Sequence, residues 1–472
     1  MPIANVLTKG LLLGSLLLFL GCAQPVESQS TAEVSESPAD APVAHMAMKP
    51  IVDEEAVVVD IPVEGIEVEK ISPENSETEP LWTPENGEKI AFLGGTLIER
   101  AQQFGYLETL LVRRFPDKDL SLRNLGWSGD NPQGHARVGF DKPETGIQEM
   151  QEHLDLVKPE VVFVSYRPDA ALSEETDDFE SFEKSLNDLI DRLEKQEADV
   201  VILSPPPVER ERLLQPDPQG TNERLEKAVA SLQKIAEERE LPFVDFFHQL
   251  EVNQSWPAEK PLMTSNGLHL NAAGYWQLAM IFEESLGLTP ATWEVAIDLE
   301  QQKATTAGTE LSELKEAKSG FSFQLKDAFL PTPLAPSAVS AADESPRQAL
   351  PEAYARKVII AGLPAGMYAL TVDEQTVAKG TAEDWAGGIL VQAGPEFDQA
   401  EALRQVIVKK DELFFHQWRP QNWTYLYGFR KHEQGQNAAE VERFVDLVKE
   451  QEAEIAKLRV PQAHQYQLQR VE

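Results

Sequence analysis

Five short apolar runs alternate with helix-like segments between residues 89 and 286. Runs that are apolar at nearly every position predict strands buried on both faces of a parallel sheet. Right-handed crossovers place the intervening helices on both faces of such a sheet. The sequence therefore predicts a flavodoxin-like, three-layer α/β/α domain over residues 81–288. The predicted strands are residues 89–93, 120–125, 160–166, 199–203 and 241–246.

The first 22 residues have the pattern of an export signal. Lys9 precedes the apolar run 11–20, which is too short to cross a bilayer as a helix. The run ends in Gly21-Cys22, which resembles a bacterial lipobox, and Cys22 is the only cysteine in the chain. We expect lipidation of Cys22 and an exported, cell-envelope lipoprotein. The alternative is an ordinary signal peptide that happens to contain a cysteine.

Residues 23–80 are rich in Pro, Ser, Glu, Ala and Val, which predicts a disordered acidic tether. The formal net charge of the whole chain is −37. Such a charge repels nucleic acid and anionic membrane surfaces. We therefore expect no nucleic-acid partner, and membrane contact only through the lipid anchor.

The pattern changes after residue 288. Residues 289–395 predict a small β-sandwich that contains a Pro/Ala/Ser-rich loop, and residues 396–472 predict a helical extension. The strands predicted for the sandwich are residues 293–299, 320–329, 357–361, 367–373 and 375–380, and the later helices are residues 398–413 and 438–458.

Polar and glycine residues follow the predicted strands at the edge where parallel α/β sheets bind their ligands. Gly95-Thr96 follows the first strand, Gly129 the second and Arg167-Pro168-Asp169 the third, and Asn266-Gly267-Leu268-His269 comes before the last helix. The order and spacing of these blocks resemble those of the SGNH (GDSL-like) hydrolases. The whole arrangement is similar to lipoprotein-type SGNH paralogues of planctomycete-like bacteria.

This resemblance implies an ester hydrolase with altered catalytic blocks. Thr96 stands at the position of the family's nucleophilic serine, and His269 at that of its general base. Gly129 and the backbone near Gly95 correspond to oxyanion donors. Asn266 replaces the triad aspartate, and Asp169 replaces the oxyanion asparagine.

These departures have different chemical consequences. A threonine hydroxyl is a competent nucleophile when a base activates it. Replacing the triad aspartate by asparagine leaves the histidine in the wrong tautomer, and in serine proteases this lowers kcat about 10⁴-fold. A carboxylate at Asp169 opposes the oxyanion, where a donor is worth roughly 3–4 kcal/mol. The charge of Arg167 could offset that of Asp169.

Structural roles for the same residues remain open. Thr96 could cap the helix that begins after it, with Glu99 as the capping-box partner. His269 could be a packed, hydrogen-bonded surface histidine.

Residues 414–433 concentrate aromatic side chains with Arg, His and Asn. Aromatic faces with planar hydrogen-bonding groups suit sugar stacking and carboxylate capture. The alternative is that these aromatic residues are core. We expect the segment to fold over the sheet edge and bring Arg419, Asn422 or His432 to the cleft.

No nucleotide-binding loop and no metal-ligand spacing occur, so we expect neither a cofactor nor a metal. The favoured function is cleavage of carboxylic esters, such as acyl groups on carbohydrate. One alternative is a catalytically silent, lipid-anchored protein that binds glycan or a partner on the same scaffold. Another is a structural envelope protein that engages a partner through residues 414–433.

Overall fold

Three five-stranded sheets organise the described part of the chain. The computed structural model describes residues 61–71, 80–138, 145–168, 179–209, 217–250, 263–288, 292–336, 350–351 and 354–471. Cys22, the predicted signal, most of the predicted tether and Asp169 lie outside these ranges. No helix within them is long and apolar enough to cross a membrane.

The strands are β1 (Glu67–Lys70), β2 (Lys89–Gly94), β3 (Ser121–Gly126), β4 (Val161–Ser165), β5 (Asp199–Leu203), β6 (Phe243–Val244), β7 (Trp293–Asp298), β8 (Lys303–Ala307), β9 (Thr309–Ala317), β10 (Gly320–Asp327), β11 (Arg356–Ala361), β12 (Met367–Val372), β13 (Gln375–Thr381), β14 (Ile389–Val391) and β15 (Ala463–Arg470).

The helices are α1 (Thr96–Ala101), α2 (Tyr106–Arg114), α3 (Thr145–Val157), α4 (Glu180–Glu194), α5 (Pro218–Arg239), α6 (Phe246–Gln249), α7 (Ala272–Ser285), α8 (Ala382–Gly387), α9 (Pro395–Trp418), α10 (Trp423–Leu426), α11 (Lys431–Gln434), α12 (Ala438–Val441) and α13 (Arg443–Leu458).

The first domain is built on an all-parallel sheet. Its strand order is β3-β2-β4-β5-β6, the flavodoxin-like order in which the second strand lies at one edge and the first beside it. Residues of α1, α2 and α7 pack on one face of this sheet, and residues of α3, α4 and α5 pack on the other. The predicted three-layer α/β/α domain is confirmed.

Aromatic packing fixes the centre of this sheet. The ring of Phe163 on β4 stacks on Phe92 of β2 with 5.1 Å between ring centroids, and it meets Phe282 of α7 edge-on, also at 5.1 Å. Asn271 caps α7, since its side chain accepts a hydrogen bond from the Gly274 N–H. The last helix is therefore held in register with the two central strands.

The other two sheets form the predicted β-sandwich. Their strand orders are β1-β8-β7-β11-β14 and β13-β12-β15-β10-β9. Val295 and Ile297 of the first sheet share one buried core with Phe321, Phe323 and Tyr368 of the second. Side chains of β7 and β11 alternate between buried and half-buried, as expected for strands with one face on the core.

Two predicted boundaries are wrong. Residues 61–71 belong to the sandwich and not to a tether, because Ile61 and Val63 enter its core and β1 pairs in parallel with β8. The segment after residue 395 is not purely helical, since β15 returns to the sandwich and pairs with both β10 and β12. The β8 and β9 strands were also missed, because residues 303–317 are mostly polar.

A buried lysine ties α9 to the first domain. The Lys410 ammonium donates to Glu108 Oε1 of α2 at 2.5 Å and to the carbonyl of Leu122 on β3 at 3.0 Å. It also lies 2.9 Å from the carboxylate of Asp411. Burial raises the pKa of both carboxyl groups, and the positive charge of Lys410 opposes that rise.

Replacing Lys410 with methionine should leave two buried carboxyl groups without their cation. Loss of one partner of a buried ion pair destabilises a protein by about 3–5 kcal/mol. We therefore expect the Lys410→Met change to lower the free energy of unfolding, measured by urea denaturation, by about that amount. Lys409→Met is the matched control, since the Lys409 side chain is 54% exposed, and it should cost under about 1 kcal/mol. Equal losses in both variants would contradict this role of Lys410.

Candidate active site

A cleft of about 90 Å³ opens at the carboxyl edge of the parallel sheet. It brings together five residues that the sequence singled out, namely Gly95, Thr96, Gly129, Arg167 and His269. The remaining lining residues are Leu97, Arg100, Asp130, Ser165, Pro205, Pro206, Leu268, Leu270 and Tyr275.

Thr96 is the first residue of α1. Gly95 occupies the N-cap position and no side chain caps this helix, so the capping interpretation of Thr96 is wrong. The Gly95 N–H donates to the Ser165 carbonyl at 3.1 Å and is therefore not available as an oxyanion donor. The N–H of Thr96 has no intrahelical partner because it lies in the first turn. The backbone donor at the start of α1 is thus the N–H of Thr96.

Gly129 presents a second donor. Its N–H points at the Thr96 hydroxyl, with 3.4 Å between N and Oγ1. The backbone of Gly129 has a φ of +75°, a conformation that favours glycine. The following residue, Asp130, is held by a buried ion pair with Arg137 at 2.7 Å. These contacts fix the loop after β3 beside the start of α1.

Asn266 determines the hydrogen-bonding state of His269. The Oδ1 atom of Asn266 accepts from the N–H groups of Leu268 and His269 at 3.1 and 2.8 Å. This orients the Asn266 amide so that its Nδ2 faces Nδ1 of His269 at 3.1 Å. An amide nitrogen can only donate, so Nδ1 must accept and the ring proton must sit on Nε2.

His269 is held neutral by its surroundings. Partial burial lowers its pKa, and the positive charges of Arg100 and Arg167 lower it further. In this state Nε2–H is a donor and cannot accept the proton of a hydroxyl. Among the described residues, His269 makes no direct hydrogen bond to Thr96. Asn266 faces Nδ1 of His269 as the triad aspartate would. The ring proton is on Nε2, which is the nitrogen that must be unprotonated to act as a general base.

Comparison with known proteins gives a family match within the domain that contains this cleft. Residues 98–277 match the GDSL-like Lipase/Acylhydrolase family. This part of the chain is a GDSL-like domain. No curated protein matches the sequence significantly.

One solved structure resembles the chain in fold. A gut microbial diltiazem-metabolizing enzyme superposes with a TM-score of 0.64 at 17% identity, covering 83% of this chain and 100% of that one. An acetylxylan esterase from Geobacillus stearothermophilus gives a TM-score of 0.32 at 18% identity, covering 43% of this chain and 95% of that one. A catalytic mutant of the same esterase gives 0.34 at 18% identity, with the same coverage.

The GDSL-like cleft contains residues that the sequence did not reveal. Arg100 lies one helical turn after Thr96 on α1, and this i, i+4 spacing was a signal that could have placed it on the same face. Tyr275 of α7 donates its hydroxyl proton to the Leu97 carbonyl at 2.7 Å. No group of three or more His, Cys, Asp or Glu side chains in the described ranges could hold a metal ion.

The C-terminal residues approach this cleft only indirectly. Arg419 donates to Glu99 Oε2 at 2.6 Å, and the same carboxylate oxygen accepts from the Ser128 N–H at 2.6 Å. The Asn422 amide bonds Gln434, and the His432 side chain is 75% exposed. The expectation that Asn422 or His432 enters the cleft is therefore wrong, and Arg419 supports the loop after β3 from outside.

The tautomer of His269 can be measured directly. We expect long-range ¹H–¹⁵N NMR spectra at pH 7.5 to show an unprotonated Nδ1 and a protonated Nε2. An Asn266→Asp change replaces the amide donor with an acceptor, so the proton should move to Nδ1 and the pKa of His269 should rise. Equal spectra and equal pKa values in the two proteins would contradict the role assigned to Asn266.

His153 on α3 is a second neutral histidine. Burial, with the positive charges of Arg137 and Arg419, lowers its pKa to about 3. Its Nδ1 accepts from Arg137 Nη1 at 3.2 Å, which leaves the ring proton on Nε2. Unfolding exposes this ring to water, where its pKa returns to about 6.5.

The low pKa of His153 predicts acid sensitivity. Below about pH 6.5 the unfolded chain takes up a proton that the folded chain does not, so stability falls as pH falls. Between pH 7.5 and 5.5 this group alone should remove about 1.4 kcal/mol of unfolding free energy. Urea denaturation at the two pH values measures the loss of unfolding free energy. We expect this loss to be smaller in His153→Gln than in the wild type by about that amount. An equal loss in both proteins would contradict this interpretation.

Proposed function

We propose that the GDSL-like domain hydrolyses carboxylic esters, such as acyl groups on carbohydrate, at a rate limited by Asn266. We also propose that the protein acts in the cell envelope, anchored through a diacylated Cys22. The lipobox-like sequence supports the proposed location, and the cleft supports the proposed chemistry.

The meeting of three groups in one cleft carries this proposal. The Thr96 hydroxyl lies within hydrogen-bonding distance of the Gly129 N–H, and His269 lines the same cleft. In the proposed reaction Thr96 Oγ1 attacks the ester carbonyl carbon, and the C–O bond to the leaving alcohol breaks. The N–H groups of Thr96 and Gly129 would stabilise the oxyanion. Water would then hydrolyse the acyl-threonine, which releases a carboxylic acid and restores the hydroxyl.

His269 would transfer the protons in both steps. To accept a proton at Nε2, the ring must first move its own proton to Nδ1, where it would face the N–H of Asn266 Nδ2. Two donors then oppose each other, and the base form is populated only rarely. Because the low pKa of His269 keeps the ring neutral, charge does not inactivate it at pH 7.

The dimensions of the cleft favour a short acyl group. A cavity of about 90 Å³, walled by Pro205, Pro206 and Leu268, has room for an acetyl-sized group and not for a fatty acyl chain. The cationic side chains of Arg100 and Arg167 at the same cleft suit an oxygen-rich leaving group.

Hydrolysis should be measured on p-nitrophenyl acetate and acetylated sugars with the full-length chain. We expect slow wild-type turnover that disappears in Thr96→Ala and in His269→Ala. Thr376→Ala, on a strand of the sandwich, is the matched control and should keep the wild-type rate.

Asn266→Asp should increase turnover. The carboxylate would accept from Nδ1–H and free Nε2 as a base, so we expect kcat to rise between about 10²- and 10⁴-fold. Thr96→Ala in the Asn266→Asp background should abolish the gain. A wild-type rate equal to that of Thr96→Ala, with no gain from Asn266→Asp, would overturn hydrolysis.

A second candidate is a catalytically silent binding protein on the same scaffold. The observation that favours it is the set of donors in the cleft, where Nε2–H of His269 joins the Gly129 N–H and two guanidinium groups. Such a set binds a carbonyl or an acylated glycan without cleaving it. Acetylated sugars that bind to a silent wild type, as measured by calorimetry, would support this candidate.

A further inference from the structure

A larger cavity, of about 520 Å³, lies beside the cleft. Its walls are the loop after β3, the helix α3 and the C-terminal segment between residues 415 and 429. We call it the aromatic cavity. Its lining residues are Trp127, Arg137, Val138, Glu149, His153, Phe415, Trp418, Arg419, Pro420, Gln421, Trp423, Thr424, Gly428 and Phe429. This volume is typical of sites for small organic ligands.

Ring packing makes the inner wall of the aromatic cavity rigid. Trp418 meets Trp127 edge-on at 5.7 Å between ring centroids, and it meets His153 edge-on at 4.7 Å. The guanidinium of Arg419 lies 3.6 Å from the centre of the Trp127 ring. At the outer end, Trp423 is 42% exposed and Phe429 is 71% exposed. The cavity therefore combines a fixed interior with accessible aromatic surface.

A neutral donor belongs to the lining of the aromatic cavity. His153 is half-buried and lines the cavity. Its Nε2 atom carries a proton because Nδ1 accepts from Arg137. Among the described residues no acceptor faces this Nε2–H, so an acceptor atom on a ligand would satisfy it.

The positive charges around the aromatic cavity are compensated by carboxylates. Arg137 is paired with Asp130 at 2.7 Å, and Arg419 is paired with Glu99 at 2.6 Å. Glu149 adds a carboxyl group to the lining. No surplus positive charge is therefore left to attract an anion, and an uncharged ligand fits best.

We propose that the aromatic cavity is a ligand-binding site for an uncharged planar ring compound that carries a carbonyl-type acceptor. The ring packs against Phe415, Trp423 and Phe429, and the acceptor takes the Nε2–H of His153. The site is separate from the cleft, since the two share no lining residue. Ligand binding in this cavity does not depend on whether Thr96 and His269 hydrolyse esters.

The test uses 2-quinolone, an uncharged bicyclic lactam that offers a carbonyl acceptor and no ester bond. Binding to the full-length chain is measured by titration calorimetry, with quenching of tryptophan fluorescence as a second readout. We expect a Kd below about 1 mM, unchanged in Thr96→Ala. The anionic naphthalene-2-sulfonate, of similar size, should bind at least tenfold more weakly.

Two variants locate the bound ring. His153→Phe keeps a ring and removes the donor, so we expect Kd to rise about fivefold. Phe429→Ala removes an exposed ring without opening the core, and we expect a rise of about tenfold. Leu390→Ala is the control, because Leu390 is an exposed apolar residue of the sandwich, and it should leave Kd within twofold.

Three results would overturn this proposal. The first is no heat of binding for 2-quinolone at its solubility limit. The second is an unchanged Kd in both His153→Phe and Phe429→Ala. The third is tighter binding of naphthalene-2-sulfonate than of 2-quinolone, which would make the cavity an anion site.

Discussion

The ammonium group of Lys410 is the contact on which the placement of the C-terminal part depends. The α9 helix spans 24 residues and contributes side chains to the cores on both faces of the parallel sheet. Lys410 fixes the rotation of α9 by reaching a carboxylate on α2 and a carbonyl on β3. Once α9 is fixed, Trp418 and Arg419 at its end must lie against the loop after β3. This placement of Trp418 and Arg419 forms the inner wall of the aromatic cavity. It also supports the loop after β3, which borders the cleft.

The sequence predicted the parallel sheet well because burial on both faces leaves an unmistakable run of apolar residues, as in residues 161–165. The strands of the sandwich were harder to predict from the sequence. Every residue of β1 is exposed, and β9 has only one buried residue, so neither strand has an apolar run. In β15 only Tyr466 and Leu468 are buried. Its partners on β10 and β12 lie far away in the chain, and local patterns do not report such pairings.

The candidate site also has features that the sequence predicts and features that it does not. The order of the strand ends was enough to bring Thr96, Gly129 and His269 to one cleft, because parallel topology sends those ends to one edge. The tautomer of His269 depends on which atom of the Asn266 amide meets which backbone N–H, and residue types alone do not determine that. The Glu99–Arg419 pair joins residues more than 300 positions apart, so it could not be found before the fold was known.

The order of strands in the sandwich has a consequence for how the protein is made. Residues of β1 come before the GDSL-like domain, and β15, which lies between β12 and β10, is the last of the described strands in chain order. When the chain emerges from its N-terminal side, the parallel sheet can form as soon as its own strands are available. The second sandwich sheet must wait as two separate pieces, β12-β13 and β9-β10, until β15 emerges. The sandwich therefore closes after the parallel sheet, and it presents unpaired strand edges until β15 is in place.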